Sequence, residues 1–424
     1  MVGSRQAGKY DMKDSRPSIL LDLLKSLLLP HRPAPPPGQL VELPRSRKPD
    51  YDYSLALERS ARTVRERQLV LESERAEAGP RLDELLGHAP GRQKLLAGND
   101  RRFHTWGVLE LLIERAQESL LEHRPESERL GGMALAVAAR LDAGYYGVER
   151  LEDMRARSWS IIAESRRLRS DFTGAGEAYD HAHDHLRAGT GDPLERALVL
   201  DLEANLRRCE RRFDEARRLL RKAIEIFVEN EENQRAGLSL VNLSIVHRAD
   251  GELERALDVL HEALRRIDGA EEPRLQLCAE HHLIHTLASA GRLMEARGLL
   301  LKKRPLYRRF PDAWAQSHLR WLRGQVALGF NGMAEAESEL LGARQGFLAL
   351  GSRYEAGLVV LDLALLYARQ DRIADLRTIA GEALDTFRTL GLTPEARAAE
   401  SFVRQAEEVE GSQRELAMAA STFE

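Results

Sequence analysis

The chain has 424 residues, 43% of them hydrophobic, 31% charged and only 5% aromatic, with 2 cysteines. Its 63 basic and 67 acidic residues leave a formal charge of −4, so no global field favours a polyanion, and no specific nucleic-acid partner is expected. Cys209 and Cys278 form no CxxC or metal-ligand spacing, which argues against a zinc module or disulfide framework and fits a reducing, cytoplasmic setting. Only eight of the basic residues are lysine; the arginines interleave with Glu and Asp along nearly every segment, the pattern of a solvated, salt-bridge-laced helix surface.

Residues 1–50 read as a flexible, Pro-rich segment carrying one short Leu-rich helix over 17–29, in which Ile19, Leu20, Leu23, Leu24, Leu27 and Leu28 share a face. That stretch contains Asp22 and Lys25 and falls far short of the roughly 20 apolar residues a membrane span needs, so no span is expected. The seven prolines between residues 30 and 49 set an extended path. Residues 51–124 read as a helical region without a repeat. The spacing predicts a continuous helix from Tyr51 to Glu77, a stop at Gly79-Pro80, short helices over 80–87 and 90–97, and an apolar-faced helix over 103–123.

Beyond residue 125 the chain aligns on itself. One column reads Ala175, Ala216, Ala256, Ala296, Ala336, Leu376; seven residues on stand Ala182, Ala223, Ala263, Lys303, Ala343, Ala383; four further stand Leu186, Phe227, Ile267, Tyr307, Phe347, Phe387. Steps of seven and four keep the three columns on one helix face. Twelve residues before the first column are Ala163, Ala204, Ser244, Ile284, Gly324 and Ala364, on a preceding helix whose crossing needs a small side chain. Turn formers such as Ala249-Asp250-Gly251 and Asn331-Gly332 separate the two, so each unit of about 40 residues reads as a helix-turn-helix hairpin.

These columns resemble the tetratricopeptide repeat family. The resemblance covers residues 150–390 as six clear units, within a region 125–410 that includes a degenerate unit before them, with Met133 to Ala138 in its second helix, and a closing helix at Pro394–Glu408; residues 411–424 read as a tail. The period is 40 rather than the family's usual 34, and six added residues correspond to about 9 Å of helix per hairpin. Pro193, Pro273, Pro311 and Pro394 open first helices instead of closing each unit. The resemblance implies an all-α fold, a right-handed superhelical α-solenoid with a helical N-terminal extension, whose first helices line an extended concave surface. It further implies that Asp201, Asn205, Arg208, Asn242, Arg248, His281, His285, Trp321 and Gln325 face that groove; changing Asn205, Asn242 or Trp321 to Ala is expected to weaken partner capture with little loss of stability. Long-period arrays of this kind look like those of bacterial transcription regulators, peptide-sensing phosphatase-type regulators and peptide-binding scaffolds.

The function expected from this reading is a non-enzymatic scaffold or adaptor that binds a peptide or protein segment; the alternative is a ligand- or peptide-sensing regulator of a transcription or signalling component. No cofactor is expected. There is no GxGxxG after a strand, no GxxxxGK[ST] and no GxSxG. Two i,i+4 histidine pairs, His181 with His185 and His281 with His285, have metal-ligand spacing, but a structural zinc site needs four ligands and a catalytic one three. The second pair encloses Leu283 and Ile284 and lacks the glutamate of an HExxH site, so no metal is expected.

Overall fold

A computed structural model of the chain describes residues 54–120 and 123–421. The expected Leu-rich helix over 17–29 and the Pro-rich stretch after it lie outside the described residues. The chain divides into two units, 1–62 and 63–424; the described part of the first, residues 54–62, is helical. Among the described residues there is no strand, and no helix is long and apolar enough to cross a membrane.

Helix α1 (Ser54–Leu86) runs straight through the expected stop at Gly79-Pro80. Pro80 removes one intrahelical bond, yet Ala76 and Pro80 are on the exposed side, where the freed carbonyl is open to solvent. Ala78, Leu82 and Leu85 on the opposite face are buried, and their burial outweighs the local penalty. The expected helix over 80–87 is therefore the last two turns of α1. Next come α2 (Pro90–Asn99), a 3-10 turn (Arg101–Phe103), α3 (Trp106–Glu118), α4 (Arg124–Ala138) and a single turn, α5 (Ala143–Tyr146). The helix expected over 103–123 begins only at Trp106, because the Thr105 side chain accepts from the Val108 amide and caps it there. At Gly107 a β-carbon would lie 2.4 Å from the Glu74 carbonyl oxygen, so α3 and α1 cross in backbone contact. Glu74 also fastens the crossing by accepting from the Trp106 amide at 2.8 Å and from Tyr146 Oη at 2.7 Å.

The repeat region forms six hairpins: α6 (Val148–Leu168) with α7 (Phe172–Ala188), α8 (Pro193–Cys209) with α9 (Phe213–Glu229), α10 (Asn233–Ala249) with α11 (Leu253–Arg266), α12 (Pro273–Ser289) with α13 (Leu293–Arg308), α14 (Ala313–Gly329) with α15 (Met333–Ala349), and α16 (Arg353–Arg369) with α17 (Ile373–Thr389). Helix α18 (Thr393–Ser421) follows and is longer than the closing helix expected at 394–408. The turn inside each hairpin places one residue in the left-handed region: Ser170, Arg211, Gly251, Gly291, Asn331 and Asp371. The residue after it bonds back five positions, as in Arg212 N to Arg207 O and Glu252 N to His247 O, both 2.8 Å. This is the Schellman closure of a helix C-terminus, and it recurs with the 40-residue period.

The small columns lie where the helices cross. Ala175, Ala216, Ala256, Ala296 and Ala336 are fully buried, as are Ala163, Ala204 and Ala364 on the first helices. At Gly324 a β-carbon would come within 2.7 Å of Leu340, so the α14–α15 crossing admits no larger residue without displacement. First helices are more deeply buried than second ones: α10 buries nine residues and α11 four. The result is a right-handed superhelical solenoid whose first helices form the inner layer.

The solenoid's early and late units meet. Arg124, buried at the start of α4, donates to the Leu350 carbonyl at 2.6 Å and to Ser352 Oγ in the α15–α16 turn. The Tyr354 amide donates to Ser170 Oγ at 3.1 Å, the Phe172 and Tyr354 rings meet edge to face, and Arg211 pairs with Glu395 at 3.0 Å. The extended concave surface expected from the sequence is thus crossed by contacts between its early and late units. The physical origin of this closure is the small rotation between successive units, which accumulates until first and last turns face each other.

Candidate functional site

The inner face is built by side chains that recur once per unit, and they fall into three groups. In the first, the Asp201 carboxylate accepts from Asn242 Nδ2 at 3.1 and 3.2 Å, across the step from α8 to α10. Asn205 Nδ2 donates to the Asp201 carbonyl at 3.4 Å. Burial pushes the Asp201 carboxyl up to about 6. In the third group, Trp321 Nε1 and Gln325 Nε2 both donate to Asp362 Oδ2, at 2.7 and 2.9 Å, across the step from α14 to α16. Both connections span 41 residues, joining 242 to 201 and 362 to 321 at equivalent positions three units apart.

Between these lies a group of guanidinium and imidazole side chains. Arg248 Nη1 stands 2.6 and 2.9 Å from the two ring nitrogens of His285 and donates to the unprotonated one. His281 Nδ1 is 2.9 Å from Tyr307 Oη. The rings of His281 and His285, of His281 and His318, and of His285 and Trp321 meet edge to face. Burial, with the neighbouring cationic groups, holds His281, His282 and His285 well below the usual imidazole range and His318 at about 3. These imidazoles are neutral near pH 7. Burial, and next the charge of Arg208, lower Arg248 to about 10.

The neutral imidazoles carry a pH prediction. Below pH 6.5 the unfolded chain takes up protons at these four histidines that the folded chain does not bind, so stability falls as pH falls. Asp201 acts in the opposite sense between about 4 and 6, because its folded pKa is raised. The four histidines outweigh it. Replacing His318 with Phe should flatten the pH dependence of the unfolding free energy in water, obtained from urea titrations, between pH 6.5 and 5 by about one proton, or ~1.4 kcal/mol per pH unit; an unchanged slope would show that His318 titrates normally when folded.

Of the nine residues expected on the groove face, the structure places Asn242 on the Asp201 carboxylate and Asn205 on the Asp201 backbone carbonyl, Arg208, Arg248, His281 and His285 in the group of guanidinium and imidazole side chains, and Trp321 and Gln325 on Asp362. Trp321 is 9% exposed, so the expectation that it could be truncated without loss of stability is corrected: its indole packs on His285 and Phe347 instead of standing in solvent. The sequence reading missed Asp362, His318, Arg124 and Tyr354. The 40-residue step from Asn242 would have found Asp362, but Arg124 and Tyr354 reach the inner layer only across the closure. The other histidine pair does not converge: His181 stacks on Trp159, while His185 Nδ1 lies 2.5 Å from Glu152.

A second concavity of about 400 Å³ opens beside α13, lined by Leu300, Leu301, Arg304, Tyr307, Leu319 and Phe330. Its cause is local. Lys303 occupies the small-residue column and pairs with Glu280 of α12, Pro305 lies inside α13, where it can donate no intrahelical bond, and Leu301 is exposed.

The fold and inner face define a superhelical helical-hairpin repeat protein. Residues 195–268 match the tetratricopeptide repeat family model, and the hairpins there follow one another at about 40-residue spacing. No curated protein matches the chain by sequence. Among solved structures, a Rap protein complexed with competence and sporulation factor superposes with a TM-score of 0.52 at 14% identity, covering 81% of this chain and 99% of that one. The Rap conjugation gene regulator of plasmid pLS20, in complex with the Phr* peptide, gives 0.53 at 14% identity over 72% of this chain and 75% of that one. NprR with its cognate peptide NprX gives 0.50 at 13% identity over 75% and 88%. At these identities the likeness is one of fold.

Proposed function

We propose that the chain is a non-enzymatic interaction protein, a scaffold or adaptor that holds a peptide or protein segment along the inner face of the solenoid. The observation carrying this reading is the recurrence of Asn205, Arg208, Asn242, Arg248, His285 and Gln325 on successive inner helices, because amide and guanidinium groups pair with peptide backbone and carboxylates. The pLS20 Rap regulator and NprR, which share the fold, each hold a peptide; this supports the reading by analogy of fold. The test pans a displayed peptide library on the full chain, then compares wild type with an Asn205→Ala variant. The Asn205 side chain is half-buried and makes only a long hydrogen bond, 3.4 Å, to the Asp201 carbonyl, so melting should be little changed while affinity for the enriched peptides falls at least about tenfold. Peptides that bind the variant as tightly as wild type would place recognition elsewhere.

A second reading, a peptide-sensing regulator, is favoured by one observation, the closure through Arg124, Ser170, Ser352 and Tyr354. A ligand entering the inner face would have to part these contacts or be enclosed by them. Small-angle scattering that changes on saturation with an enriched peptide favours a sensor; an unchanged profile favours a static scaffold.

A further inference from the structure

Four residues after the first small column, the second helices of the last five hairpins carry Leu220, Leu260, Leu300, Leu340 and Ala380. Four of these are fully buried, whereas Leu300 is only half-buried and lines the cavity of about 400 Å³ beside α13. The opposite wall of that cavity departs from the repeat pattern too. At two equivalent positions of the first helices, the third, fourth and sixth hairpins have Leu243 with His247, Leu283 with Leu287 and Leu363 with Tyr367, all buried. The fifth hairpin has Arg323 and Ala327 there, and both line the cavity. One exchange removes side-chain volume and the other brings a cation where three units have leucine, so space that side chains fill elsewhere in the array stays open.

The walls have a definite order. Arg297, Leu300, Leu301 and Arg304 share one face of α13. Helices α13 and α14 follow each other and pack antiparallel, with the Arg297 guanidinium 5.3 Å from the centre of the Phe330 ring. That contact sets the register, placing Leu300 opposite Ala327 and Arg304 opposite Arg323. The cavity is therefore apolar along its middle, where Leu319 and Val326 complete the wall, and cationic at the end marked by Arg304 and Arg323. Arg304 has no acidic partner among the described residues, and Arg323 meets Glu339 of α15 only at 3.5 Å. At the other end Arg297 covers Phe330, and Glu335 of α15 stands on the rim. From Arg297 to Arg304 is two helical turns, or about 10 Å. Apolar walls, a few charged groups and this volume are the features of a small-molecule site.

We infer that the space between α13, α14 and the start of α15 is a binding site for one medium-chain fatty-acid anion. Its tail lies over Leu300 and Ala327 toward Phe330, and its carboxylate stands at the Arg304 and Arg323 end. A tail of about eight to ten carbons matches the two-turn length of the trough. Burial of the tail supplies most of the affinity, and the guanidinium groups favour the acid over a neutral compound of the same length. None of the nine residues expected on the groove face lines this cavity, so the site is independent of the peptide reading and stands or falls without it.

The probes are sodium octanoate, sodium decanoate and 1-octanol, each titrated calorimetrically into the full chain below the concentration at which it self-associates. Wild type should bind one decanoate per chain, about tenfold more tightly than octanoate, the step expected for burying two further methylenes. Octanoate should bind at least threefold more tightly than 1-octanol. Arg304 is exposed, so Arg304→Gln should fold normally, bring octanoate within twofold of 1-octanol and leave the alcohol unchanged. Ala327→Leu, which puts back the residue that stands at 287 one unit earlier, should raise the melting temperature and abolish binding of all three probes; if it does not fold, Arg304→Gln alone decides. Absence of decanoate binding to wild type, binding of several molecules per chain, or binding that survives in a folded Ala327→Leu variant would overturn the site. An acid preference that survives Arg304→Gln, or none in wild type, would overturn the placement of the carboxylate and with it the proposal.

Discussion

Replacing Glu164 by Gln should cost about 3–5 kcal/mol of folding stability, the range expected when one partner of a buried ion pair is removed and the other stays. Arg167 and Glu164 are 8% and 7% exposed, and the pair sits where α6 joins the inner layer, with Tyr179 Oη also donating to Glu164 at 3.4 Å. The neutral amide cannot balance the buried guanidinium charge. The loss would appear as a lower urea midpoint with an unchanged slope. Replacing both partners with Leu and Met should recover most of it, since a buried ion pair contributes little over an apolar pair of similar volume. A loss below about 1 kcal/mol for Glu164→Gln would mean that the pair is hydrated or that Arg167 finds another acceptor. The contrast with Arg208, one unit later in the same column, is sharp: its removal breaks no ion pair and should leave stability intact.

Trp321→Ala should be of similar size, about 3–5 kcal/mol, as expected for truncating a buried indole. The ring fills space among His285, His318 and Phe347, and its Nε1 donates to Asp362. Truncation leaves a cavity and removes one of two donors from a carboxyl that burial already raises above its ordinary range. Trp321→Phe separates the contributions: it retains most of the packing and loses the hydrogen bond, so about 1–3 kcal/mol is expected from the weakened solvation of Asp362. Equal losses for Ala and Phe would show that the hydrogen bond, not the packing, holds this unit together.

The repeat architecture was legible in the sequence because its determinants are local and periodic. Alanine at 216, 256 and 336 marks where two helices of one hairpin cross, and Phe227, Phe347 and Phe387 fill the same place in different units. Boundaries were less legible where packing overrides propensity. Pro80 reads as a stop, but Leu82 and Leu85 on the buried face carry α1 past it. The candidate site was legible as a set of columns and not as contacts. Asn242 was placed on the groove from its position beside the line of inner residues, yet its engagement with Asp201 follows from the spacing between neighbouring inner helices.

The sequence by itself determined the period, the hairpins, the columns of small residues at the crossings and the face on which Asn205, Arg208, Arg248 and His285 lie. Each of these depends on residues within one unit or in its neighbour, and helical geometry converts spacing directly into a shared face. That Arg124 reaches Ser352 and that Trp321 is enclosed was settled by the tertiary structure alone. Those outcomes depend on the rotation and rise of each unit on the next, summed over the whole array. A small difference per unit, invisible in a 40-residue pattern, decides whether distant turns meet and which charges the closure buries.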